Sequence, residues 1–108
     1  METNEITLIA TEVKIVGTLE VKRELHLFGH VLGELKGLPG STIFIKEGAL
    51  VEGKIFAENL VIEGFVKGEI NCTQKVWVAA RGKVVGSVQT PSLQVDPGAI
   101  FQVKVGMN

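Results

Sequence analysis

Val51-Glu52-Gly53-Lys54-Ile55 is followed, 15 residues later, by Val66-Lys67-Gly68-Glu69-Ile70. In each stretch a glycine is flanked at minus two and plus two by aliphatic residues, with charges between them. Alternation of this kind is a strand with one buried face. A glycine at its centre marks a bend or a close backbone approach. Working outward, the pattern recurs at Gly17, Gly33 and Gly86 and extends to Gln102, giving intervals of 16, 20, 15, 18 and 16 residues. Ile15, Val31, Val51, Val66, Val84 and Ile100 stand at minus two; Leu19, Leu35, Ile55, Ile70 and Val88 stand at plus two, where Lys104 breaks the series. Each repeat also holds an apolar-x-apolar triplet: Ile6-Thr7-Leu8, Leu25-His26-Leu27, Ile43-Phe44-Ile45, Leu60-Val61-Ile62, Val76-Trp77-Val78 and Leu93-Gln94-Val95.

Repeats of about 17 residues are too short for helix pairs or propeller blades. They fit one coil of a parallel β-helix, and six of them predict an all-β, single-domain solenoid over residues 6–105 after a short tail, residues 1–5. Composition agrees: Val and Ile supply 15 and 9 of 108 residues and Gly supplies 13, so β-branched strands alternate with tight corners. The long interval contains Gly37-Leu38-Pro39-Gly40-Ser41, which reads as a surface loop.

Charge and composition exclude several classes. A net charge of -1 provides no basic field for nucleic acid. The longest apolar run, Val76–Ala80, is far shorter than the roughly 20 residues of a spanning helix. A single cysteine and an acidic start fit a reducing, cytoplasmic compartment. Neither Gly53-Lys54 nor Gly82-Lys83 is followed by the hydroxyl residue of a phosphate-binding loop. His26 and His30 lack a third ligand at metal spacing, and Cys72 falls in a small, inward column with Val21, Gly37, Ala57 and Thr90. Glu20, Glu34, Glu52, Glu63 and Glu69 are scattered outward positions rather than a catalytic pair. No catalytic residue, cofactor or metal is expected.

The runs Ile15-Val16-Gly17-Thr18-Leu19, Val51–Ile55 and Val66–Ile70, with the closing Thr90-Pro91-Ser92-Leu93-Gln94-Val95-Asp96-Pro97-Gly98-Ala99-Ile100-Phe101, resemble the bactofilins, bacterial cytoskeletal proteins. The likeness covers residues 6 to 102. It implies a right-handed, roughly triangular β-helix that polymerises without nucleotide and acts as a scaffold in cell shape. It implies, as partners, the protein itself, cell-wall or membrane-associated proteins, and a peripheral contact with the inner face of the membrane. The family tends to carry a further glycine in the last coil, where this chain reads Phe101-Gln102-Val103. A left-handed hexapeptide acyltransferase is the enzymatic alternative, but its strict six-residue period conflicts with intervals of 15 to 20.

Two surfaces are expected. A solenoid exposes unpaired backbone groups and its core cross-section at both ends. No polar or helical cap is legible, so Ile6, Leu8, Ile100, Phe101 and Val103 are the predicted polymerisation contacts. The middle residues of the triplets should form an outward column, Thr7, His26, Phe44, Val61, Trp77 and Gln94. Phe44, Val61 and Trp77, with Phe56 beyond a corner, are therefore the predicted lateral surface.

Overall fold

A computed structural model describes residues 6–107; the predicted tail, residues 1–5, lies outside the described residues. Ten strands follow one another: β1 (Ile6–Ile9), β2 (Lys14–Val21), β3 (Glu24–Leu27), β4 (His30–Gly37), β5 (Thr42–Ile45), β6 (Leu50–Ile62), β7 (Phe65–Val78), β8 (Lys83–Thr90), β9 (Leu93–Val95) and β10 (Ile100–Met107). All pair in parallel, as a solenoid of six coils. A short-strand ladder runs from β1 through β3, β5 and the second halves of β6 and β7 to β9. A longer ladder runs from β2 through β4, the first halves of β6 and β7, and β8 to β10.

Each coil contributes one segment to each of the two ladders. The longer strand runs through its glycine without breaking, and the kink there turns one strand into two sides of the coil. Gly33, Gly53, Gly68 and Gly86 stack in register, with φ between +132° and +141°. A Cβ on any of these four would lie 1.7–2.0 Å from the carbonyl oxygen of the glycine one coil below. Both the conformation and the approach therefore demand glycine.

Four aliphatic columns fill the interior. One is Ile9, Leu27, Ile45, Ile62 and Val78; another is Leu19, Leu35, Ile55, Ile70 and Val88. Leu27, Ile45, Ile62, Leu35, Ile55 and Val88 are wholly buried. Burying each such side chain stabilises the fold by about 1.5–3 kcal/mol. The predicted surface loop is shorter than Gly37–Ser41: Gly37 ends β4, Pro39 and Gly40 are exposed, and Ser41 is buried just before β5.

One strand in each terminal coil, β1 and β10, is shifted by one residue from the sequence reading, while β2 and β9 keep the expected register. Thr7 and Ile9 align with the inward Leu25 and Leu27, so Ile6 and Leu8 face outward, 57% and 64% exposed. At the other end Val103, not Gln102, stacks on Gly86. Phe101 thus takes the inward minus-two position over Val84, Val105 takes plus two over Val88, and Ile100 turns outward beside Lys83. Lys104 does not interrupt the series. The cause is apolar residues on both faces of the end segments: Ile6-x-Leu8 and Thr7-x-Ile9 alternate almost equally well, and a one-residue slip exchanges the faces. The corner length decides the register, since Ala10–Val13 and Lys46–Ala49 are matching four-residue corners after Ile9 and Ile45.

Candidate assembly surfaces

Among the described residues each end of the solenoid is an open ladder: β1 and β2 pair only with β3 and β4, and β9 and β10 only with β7 and β8. Among the described residues, the most exposed large apolar side chains are Ile6, Leu8, Val13, Val16, Val95, Ile100, Val105 and Trp77. All except Trp77 belong to the first or last coil. The ends differ in how they show this surface. At the C-terminal end the exposed groups are core columns cut off in mid-stack: Val95 over Val78 and Val105 over Val88, 39% and 44% exposed, with half-buried Phe101 and Val103 between them. At the N-terminal end Ile9 is buried, Ile15 and Leu19 are half-buried at the start of their columns, and Ile6, Leu8 and Val16 point sideways. Of the predicted end contacts, Phe101 and Val103 pack on the core, whereas Ile6, Leu8 and Ile100 lie on its flanks.

The outward column of the short-strand ladder is Leu8, His26, Phe44, Val61, Trp77 and Gln94. Leu8 replaces the predicted Thr7, so large groups occupy five consecutive rungs. The rings of His26 and Phe44 stack with centroids 4.6 Å apart, and His26 Nε2 lies 2.7 Å from a Glu24 carboxylate oxygen. Lys46 Nζ sits 5.4 Å from the centre of the Phe44 ring and 3.4 Å from Glu63 Oε1. Lys75 Nζ lies 5.9 Å from the centre of the Trp77 ring. Alternation finds the aromatic groups; the flanking charges Glu24, Lys46, Glu63 and Lys75 carry no signal in one repeat and emerge only from the register. Phe56 does not join this surface. It lies on the side that follows the glycine kink, in register with Lys36 and Asn71, where it lines a groove of about 430 Å³ with Leu38, Pro39 and Glu58.

Among the described residues no three His, Cys, Asp or Glu side chains gather where one metal ion could sit. Cys72 is buried beneath Ala57. Burial pushes its thiol up to about 12, partly offset by a hydrogen bond with the Ala57 backbone. Only a thiolate is an effective nucleophile, so Cys72 should stay inert to a thiol reagent at pH 8 in the native state and react at once in denaturant. Stoichiometric native labelling at that pH would show the coil to be open. The neutral thiol is the form the fold prefers, so its contribution is complete below the ordinary thiol pKa and fades as pH rises toward about 12.

A parallel solenoid in which each coil stacks only on its neighbours belongs to the repeat proteins. The bactofilin family model, described as polymer-forming cytoskeletal, matches residues 7–106, and the chain belongs to that family. It is 29% identical over 101 residues to bactofilin BacP and 28% identical over 102 residues to bactofilin BacO, both of Myxococcus xanthus strain DK1622. Each alignment takes in 94% of this chain, but it spans only 41% of BacP, against 79% of BacO. The fold matches a chain from a cryo-EM reconstruction of Thermus thermophilus bactofilin double helical filaments, with a TM-score of 0.85 at 20% identity, covering 94% of this chain and 99% of that one. The acyltransferase alternative is set aside in favour of the cytoskeletal family.

Proposed function

We propose that this chain is a structural subunit, not an enzyme, which stacks end to end through its terminal coils into filaments that need no nucleotide. The observation that carries the reading is the half-exposed core of the last described coil, where Val95, Phe101 and Val105 continue columns that are buried in the coils before it and Val103 packs on the core beside them. Adding a further coil there would pair the free edges of β9 and β10 and remove these side chains from water. Such filaments act as a scaffold in bacterial cell shape, in the cytoplasm or along the inner face of its membrane, and recruit membrane-associated or cell-wall proteins.

Negative-stain microscopy of the purified protein should show unbranched filaments in ordinary buffer. A chain that stays monomeric at tens of micromolar would refute the reading. Exhaustive EDTA or apyrase treatment should leave filament number and length unchanged, because neither a phosphate-binding loop nor a metal cluster supports the ladder. Filaments that dissolve under either treatment would show a missing cofactor.

A further inference from the structure

The short-strand face has a symmetry that no single coil reveals. Its rungs are numbered by coil from the first, Ile6–Ile9, to the sixth, Leu93–Val95. Glu24 opens the second rung and Lys75 the fifth, on one flank of the aromatic stripe. Lys46 follows the third rung and Glu63 the fourth, on the other flank.

We infer that this face binds a second copy of itself in antiparallel orientation, about a two-fold axis between the third and fourth coils. Such an axis sets each rung against its mirror in the stack, the second against the fifth and the third against the fourth. Glu24 then opposes Lys75 of the second copy, and Lys46 opposes Glu63 of the second copy, each pair occurring twice. In the central stripe Phe44 meets Val61, and His26 meets Trp77. The Lys46–Glu63 pair within each chain becomes a square of alternating charges. A parallel pairing, with the axis along the rod, puts Glu24 opposite Phe28, Lys75 opposite Ala79, Lys46 opposite Thr42 and Glu63 opposite Asn59. It matches no opposite charges. An isologous contact needs a surface complementary to itself, and only the antiparallel arrangement supplies one here.

The face is small. Six rungs about 4.8 Å apart and five residues wide fall short of the roughly 1,000 Å² that a lasting contact between two free subunits needs. Repetition along a polymer supplies the rest, since each bound subunit raises the local concentration of the next. The partner is therefore a neighbouring filament. This inference rests on the filament reading above, and its test separates the two.

Filament width is measured by negative stain for the unaltered chain, for Lys75→Glu, for Glu24→Lys, and for the chain carrying both changes. The unaltered chain should form paired filaments. Each single reversal puts like charges together twice and should leave single filaments of about half the width, while sedimentation still shows polymer. The double change swaps the charges and should restore pairs. Pairs that survive both single reversals, a double change that stays unpaired, or an unaltered chain that forms only single filaments would each overturn the antiparallel contact. Loss of all polymer in the unaltered chain would instead overturn the end-to-end reading on which it stands.

Discussion

Phe101→Arg should give a folded protein of monomeric or dimeric size, with β-type circular dichroism unchanged and no sedimenting filament. Phe101 stacks on Val84 at the inward position of the sixth coil, packed against the core yet half-buried, with no further coil over it among the described residues. Within one chain an arginine can swing from that position into water. Inside a stacked junction it cannot, and an unpaired buried cation costs several kcal/mol. A penalty of about 4 kcal/mol lowers an association constant roughly a thousandfold. Long filaments at unchanged yield would place the junction elsewhere. A second substitution guards against a folding effect. Val95→Lys alters a residue 39% exposed at the same end, so it should spare the monomer and still prevent stacking. If both variants unfold, these side chains serve their own core, and the end-to-end reading fails.

The two ends explain which parts of the molecule were legible in the sequence. In the middle coils, charges separate the aliphatic positions, as in Val51-Glu52-Gly53-Lys54-Ile55, so alternation fixes which side chains face inward. In the end coils that punctuation disappears. Ile6, Leu8 and Ile9, like Ile100, Phe101, Val103 and Val105, are apolar on both faces, and alternation cannot choose a register. Among the residues that blur the register are Phe101, Val103 and Val105, proposed above as end-to-end contacts. The aromatic column of Phe44, Val61 and Trp77 is legible from the triplets alone. Its charged flanks are not. Glu24 and Lys75 lie three coils apart, and the opposition proposed for them arises only across a symmetry axis. Phe56 was legible as outward and beyond a corner, but its separation from the aromatic column shows only in the register, which sets it beside Lys36 and Asn71.

That turn is also where the fold is most vulnerable. Gly53→Ala should destabilise the chain by more than about 4 kcal/mol, the range of exceptional single substitutions. Two costs add. At φ +137° an L-residue sits in backbone space that is nearly glycine's alone, a strain of about 1–3 kcal/mol. The new Cβ would also fall 1.7 Å from the Gly33 carbonyl oxygen, which is backbone and cannot rotate aside. Relief requires the third and second coils to separate, and that breaks the hydrogen bonds of β6 to β4 along with the contacts of Val51 on Val31 and Ile55 on Leu35. Gly17→Ala supplies the control, because Gly17 has a similar φ of +124° but nothing within 4 Å of the added carbon. Only the strain applies there, so its melting temperature should fall by clearly less than that of Gly53→Ala. A 1 kcal/mol change moves the midpoint of a domain of about this size by roughly 4–8 °C, so thermal melts resolve the difference. Equal losses at the two positions would mean that conformation alone, and not the stacking of one coil on the next, makes glycine necessary at the kink.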